Sequence, residues 1–319
     1  MDLDIELEQA IAEEDKPPST PPRPATAWRV AVITTSRGEI QRLTHRQIAG
    51  AEPNRQSNLA TTFTALRQRG LQPMAVPTGA DIVNALARIE PDICINLMAG
   101  PDTPSQAARL ATVLEMLGLP FTGSRPVAQA LAADTPLCHD LWQQAGLPVA
   151  DSCTPIRSRL QVMVLGKAAT DKKSCGPIGL WAHSQCFEAD GFHRLPIWQS
   201  GSPRGVTADM SPELREAIHT LAIHAHQSVG ALDYSLVKIA LGATGEPSLL
   251  SIQTQPDLTP SGLAVRLAAA GGWRYGELLS EILTLGSMRF GLPIPQPIFQ
   301  PVRLPLTVNI RRLAPVSVH

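Results

Sequence analysis

Short apolar runs alternating with segments of helical period govern residues 28–118. WRVAVITT (28–35), PMAVP (73–77) and DICINLMAG (92–100) are apolar and too short for a core helix, so they read as buried strands. Between the runs, SNLATTFTALRQRG (57–70) and ADIVNALARIEP (80–91) have helical spacing, and the first ends at a glycine. SQAARLATVLEMLG (105–118) follows as a helix, with Ala108, Leu110, Val113, Leu114 and Leu117 available for burial. Strands that alternate with helices in this way predict a parallel sheet with helices on both faces.

The pattern changes beyond residue 125. PVAQALAADTPLCHDLWQQAG (126–146) is helical, with a break expected near Pro136. RLQVMVLG (159–166) alternates as a strand does, whereas the rest of 151–210 is rich in glycine and proline and carries little periodicity. SPELREAIHTLAIHAHQSVG (211–230) is a helix with Ser211 as its cap and Gly230 at its end. YSLVKIALG (234–242) and EPSLLSIQTQ (246–255) are two strands around an ATGE turn, an expected antiparallel pair. LAVRLAAAGGWRYGELLSEILTLGS (263–287) supplies one or two short helices. Two tails flank this block. Residues 1–27 are acidic and then proline-rich, an expected disordered tail. Residues 291–319 form a proline-rich extension that suits a surface or a partner rather than a core.

Charge and cysteine usage exclude several function classes. With 27 basic and 28 acidic side chains the net charge is -1, so no broad phosphate-contacting face for nucleic acid is expected. No stretch approaches a membrane span and the acidic N-terminus lacks a signal-peptide pattern, so a cytoplasmic location is expected. The cysteines (Cys94, Cys138, Cys153, Cys175, Cys186) form no CxxC pair, which favours free thiols over a structural zinc site. His219, His224 and His226 share one helix. Without a third ligand they read as surface or partly buried histidines, and no metal site is expected.

Three blocks carry a family resemblance. LGLPFTGSRPVAQALAADTPLCHDLWQQAGLPVA (117–150), RLQVMVLG, and the run from His226 to Gly286 keep the turns, strands and helices of the D-alanine–D-alanine ligase family, ATP-grasp superfamily, in order. The resemblance implies an α/β chain in two domains. A parallel, pre-ATP-grasp-like α/β domain spans 28–125, and an ATP-grasp-like α+β domain spans 126–290. The second is expected to be truncated. Only about ten residues separate AGLPV from RLQVMVLG, where the family has a small domain that forms one jaw of the nucleotide clamp; a strand–loop–strand–helix unit does not fit in that length.

The resemblance also assigns positions. The family's substrate-orienting arginine falls at Leu236 and its magnesium-binding aspartate at Lys238. The other magnesium contacts fall at Ser251, Gln253 and Gln255, and the loop serine falls at Gly262, beside Ser261. The N-terminal loop histidine falls at Ala99, next to Gly100, and the lysine after the TGS turn falls at Thr135. A lysine repels a divalent cation, and the neutral amide of Gln253 does not replace two carboxylates. Lys238 is then either a solvated strand end or a fixed positive charge near a phosphate or carboxylate.

The expectation that follows is a non-catalytic pseudoenzyme that acts as a binding, scaffold or regulatory protein. It needs no cofactor and works with a protein partner or as a homodimer, with its small-molecule ligand unassigned. Two alternatives stay open. One is rebuilt chemistry in the old cleft, with Asp257 as a polar group and Cys175, His183, Cys186 and His193 as candidates for a cysteine–histidine pair. The other is an ATP-dependent carboxylate–amine ligase completed by a partner subunit.

Overall fold

The three N-terminal apolar runs assemble into the parallel sheet that their spacing predicts. In the computed structural model, which describes residues 27–34, 54–98, 103–150, 155–166, 191–200 and 210–292, β1 (Arg29–Thr34), β2 (Gln72–Pro77) and β3 (Ile93–Asn96) lie in the order β2-β1-β3. β1 pairs in parallel with both neighbours, Val32 opposite Ala75 on one side and Ile95 on the other. Because side chains alternate along a strand, β1 serves two cores. Ala31 and Ile33 face α2 (Ile82–Ile89) and α3 (Thr103–Met116). Val30 and Val32 face α1 (Asn54–Arg67) and the long C-terminal helix described below.

The helical stretch after the TGS turn is two helices, α4 (Pro126–Ala133) and α5 (Thr135–Gln144). The expected break near Pro136 is at Asp134. Its backbone is extended, and its carboxylate accepts a hydrogen bond from the Leu137 amide (3.0 Å). A residue two before proline is well placed to end one helix and cap the next.

A second sheet is wholly antiparallel. β4 (Ser158–Leu165), β5 (Trp198–Gln199), β6 (Tyr234–Leu241) and β7 (Pro247–Gln253) lie in the order β5-β4-β6-β7. β5 is a two-residue strand in a segment that shows no strand periodicity; it is held by pairing with Leu160 and Gln161 of β4. One face of this sheet, including Leu160, Val162, Val237 and Ile239, packs on α5 and α6 (Pro212–Ser228). On the other face Met163, Leu165, Tyr234 and Leu236 share a core with β1 and β3 of the first sheet.

The two C-terminal helices, α7 (Leu263–Ala270) and α8 (Tyr275–Arg289), contribute to that shared core. Every residue of α8 from Leu278 to Ser287 is buried. Its hydroxyls bond within the helix: Ser280 donates to the Gly276 carbonyl (2.7 Å) and Thr284 to the Ser280 carbonyl (2.8 Å). Polar side chains satisfied in this way can occupy a buried helix at little cost.

Of the α6 histidines, expected to be at the surface or partly buried, His224 is exposed, whereas His219 and His226 depart from expectation. His219 and His226 are only 3% and 2% exposed, rather than on the surface. His226 is accommodated because Nδ1 lies 2.8 Å from the Ser235 hydroxyl and its ring meets the Phe192 ring edge-on at 5.8 Å. Burial pushes its imidazole down to about 4, so it is neutral at neutral pH.

Candidate functional site

The sheet face that looks toward α7 and α8 holds the expected site positions. β6 and β7 pair so that Leu236 is opposite Gln253 and Lys238 is opposite Ser251. Directly opposed residues share a face, so these four side chains form one patch. A register shift follows immediately, between Lys238 and Ile239, and a bulge of this kind turns the strand and re-aims its side chains. On the other side β4 places Met163 opposite Leu236 and Gln161 opposite Lys238, and Gln161 is in turn opposite Trp198 of β5.

The patch has two halves of different character. Leu236 is 3% exposed and belongs to the shared core with Met163, Leu258 and Val265. That end of the face is closed by hydrocarbon. One step along the strands, Trp198, Gln161, Lys238 and Ser251 make a half-buried polar row across all four strands. The Arg266 guanidinium of α7 stacks over the Trp198 ring at 4.7 Å, a favourable cation–π geometry. Gln161, Trp198 and Arg266 were not among the candidates singled out from sequence. The alternation in RLQVMVLG already puts Arg159 and Gln161 on one face, and that signal was available.

The remaining expected positions lie along the loop that leaves β7. Gln255 Nε2 donates to the Asn96 carbonyl at the end of β3 (2.9 Å), which ties the two sheets together. Asp257 accepts from the Thr259 amide through Oδ1 (2.8 Å) and holds a tight turn. Ser261 accepts from Asn58 Nδ2 of α1 (3.4 Å). Gly262 starts α7, and a Cβ there would come within 2.1 Å of the Asp257 carbonyl oxygen. Tyr275 fastens the middle of the loop. Its hydroxyl donates to the Leu258 carbonyl (2.9 Å) and lies 2.8 Å from Thr62 Oγ1. Burial pushes this phenol up to about 12, so it stays a neutral donor.

His193 sits apart from this patch. Its amide bonds the Leu165 carbonyl, four residues along β4 from Gln161, which is roughly 13 Å of strand. Its Nε2 lies 3.3 Å from Glu281 Oε1 of α8, and its ring stacks edge-on against Trp273 at 4.8 Å. His193 is therefore part of the packing around α8. Cys175, His183 and Cys186, like Ala99 and Gly100, lie outside the described residues.

Comparison with known proteins finds relatives of one kind. A family model described as D-ala D-ala ligase C-terminus matches residues 198–284, which covers β5 through most of α8. D-alanine–D-alanine ligase B of Mesorhizobium japonicum is 27% identical over 271 positions, with 68% of this chain and 87% of that protein covered. The D-alanine–D-alanine ligase of Sinorhizobium fredii is also 27% identical, with 70% and 90% covered. The chain is similar to D-alanine–D-alanine ligases over about two thirds of its length, and its C-terminal part matches the family's C-terminal domain. The fold agrees: the crystal structure of D-alanine–D-alanine ligase from Bacillus anthracis complexed with ATP superimposes with a TM-score of 0.55 at 16% identity, covering 82% of this chain and 97% of that one.

Magnesium is the group the family resemblance implies at the β6–β7 patch, and the donor set does not fit it. Leu236 and Lys238 offer no lone pair to a cation at neutral pH, and Ser251 and Gln253 offer only neutral oxygens. Among the described residues no three His, Cys, Asp or Glu side chains gather to hold a metal ion. No helix among the described residues is long and apolar enough to cross a membrane.

Proposed function

We propose that this chain is a non-catalytic relative of the D-alanine–D-alanine ligases and works as a binding, scaffold or regulatory protein. The observation that carries this reading is the β6–β7 pairing. Leu236 is sealed into the core opposite Gln253, and Lys238 stands opposite Ser251. Phosphoryl transfer depends on positioning and on compensation of the developing charge by a metal and fixed cations. Here the position where the resemblance places a metal-binding acid carries a positive charge, and hydrocarbon occupies the position of the substrate-orienting arginine.

Alignment coverage supports the reading. The match to the Mesorhizobium ligase runs over 271 positions, yet 68% of a 319-residue chain is about 217 residues. The aligned stretch therefore contains positions at which this chain has no residue. A missing internal segment gives that pattern, in keeping with the short connection between AGLPV and RLQVMVLG.

Titration calorimetry of ATP into the full chain, with and without magnesium, tests the proposal alongside phosphate release in the presence of D-alanine. The expected result is no magnesium-dependent binding and no D-alanine-dependent phosphate release. Micromolar binding that requires magnesium would overturn it. It would favour an ATP-dependent ligase, alone or completed by a partner subunit.

A further inference from the structure

The face that rejects a divalent cation carries three cations of its own. Arg159 and Gln161 are successive same-face positions on β4, since Arg159 is opposite Ala240 and Gln161 opposite Lys238 in the β4–β6 register. Strand rise and spacing put the Cα atoms of Arg159, Lys238 and Trp198 within about 7 Å of that of Gln161. Arg266 joins the group from above by stacking on Trp198. Neither the described strands β4 to β7 nor α7 contains an aspartate or glutamate. None of the three cations forms an ion pair with a described carboxylate.

The arrangement is unusual for a chain of net charge -1. Like charges gathered on one face repel each other and cost the fold stability. Lys238 adds to this because it is half-buried in the middle of a sheet without a counter-charge among the described residues. Arginine and lysine around a row of amide and hydroxyl groups suit an anion with several oxygens. Gln161 and Ser251 flank Lys238 on either side and can donate to such oxygens. A metal ion would be excluded from the same place by the charges that attract the anion.

We infer that this row binds a small multivalent anion, phosphate- or carboxylate-bearing, directly and without a metal ion. Lys238, Arg159 and Arg266 supply the charge, and Gln161 and Ser251 supply hydrogen bonds. The inference deepens the non-catalytic reading and rests on it, because it assigns a metal-free ligand to the site that magnesium does not fit.

Calorimetric titration of the full chain with inorganic pyrophosphate, and separately with citrate, in the presence of EDTA provides the test. At least one of the two should bind, with an affinity that magnesium does not improve and that falls as salt is added. The stronger of the two identifies the source of the anionic oxygens. Lys238→Gln and Arg159→Gln should each weaken binding by about tenfold or more, the scale of one lost charge-assisted contact. Arg88→Gln, on the exposed side of α2, should leave the affinity unchanged. Urea midpoints matching the parent chain show that the variants are folded. Absence of binding by both probes, or an affinity unaltered in Lys238→Gln, would overturn the inference and leave the non-catalytic reading in place. Magnesium-dependent ATP binding would instead remove the reading beneath it.

Discussion

Asp233 and Arg289 form a largely buried ion pair where the two sheets meet, with Arg289 Nη2 3.5 Å from Asp233 Oδ2 and the Arg289 and Asp233 side chains 15% and 5% exposed. Asp233 Oδ2 also accepts from the Gly123 amide (2.8 Å). Arg289 Nη1 donates to the Gly123 carbonyl (2.6 Å), and Nη2 donates to the Phe121 carbonyl. The pair thus clasps the turn between α3 and α4 to the start of β6 and the end of α8. Asp233 occupies a left-handed backbone conformation (φ 60°), which is costly for a residue with a Cβ and more tolerable for aspartate than for most.

Removing the carboxylate should destabilise the chain more than its size suggests. Asp233→Ala leaves the Arg289 charge buried with carbonyl partners only and strands the Gly123 amide, for an expected loss of about 3–5 kcal/mol. Asp233→Asn keeps an acceptor for Gly123 and should cost less. Urea unfolding of both variants measures the difference. A loss in Asp233→Ala no larger than in Asp233→Asn would mean that the carbonyls alone hold Arg289.

Leu236 tests whether its end of the β6–β7 face is closed. Leu236→Arg would drive a guanidinium into the core between Met163 and Val265, at an expected cost above about 3 kcal/mol. Leu236→Ala should cost about 2–5 kcal/mol as a cavity. If the position instead lined an open cleft, the arginine variant would melt close to the parent chain in a thermal scan.

Much of this architecture is legible in the amino-acid order because it rests on local pattern. The runs 28–35, 73–77 and 92–100 become β1, β2 and β3, and the two strands around ATGE pair antiparallel as expected. What escapes the sequence is long-range. β5 has only two residues and exists because β4 is beside it. His219 and His226, seven residues apart, share one helix face with Ala222 and Ile223, but that two histidines on it are buried depends on the sheet packed against it. The Asp233–Arg289 clasp joins residues 56 positions apart with no spacing rule between them. At the candidate site, the family resemblance points to Leu236, Lys238, Ser251 and Gln253. The cations Arg159 and Arg266 come into view only when strand register and the α7 crossing place them over the same face.

Gly262 seats the loop between β7 and α7. A Cβ there would stand 2.1 Å from the Asp257 carbonyl oxygen and 2.8 Å from the carbon that bears it. Backbone cannot swing aside as a side-chain tip can, so Gly262→Ala should cost about 1–3 kcal/mol and loosen the turn at Asp257. Hydrogen exchange should speed up at the Thr259 amide, which bonds the Asp257 carboxylate. Unchanged protection of Thr259 would show that the loop absorbs the extra methyl elsewhere.

His226 should give the stability curve a distinct acid arm. Its folded-state value is about 4 against 6.5 in the unfolded chain, through burial. Between these two values the unfolded imidazole holds a proton that the folded one lacks. Stability from this group is therefore complete above about pH 6.5 and is lost as pH falls toward 4, by an amount of order 3 kcal/mol. Among the described residues the ring meets the Ser235 hydroxyl and the edge-on Phe192, and neither titrates in this range. His226→Gln removes the titrating group and keeps a donor for Ser235. Its unfolding free energy should drop less than the parent's between pH 7 and pH 4.5, by about 2–3 kcal/mol. Parallel losses in the two chains would show that the buried ring takes up its proton as readily as the unfolded one.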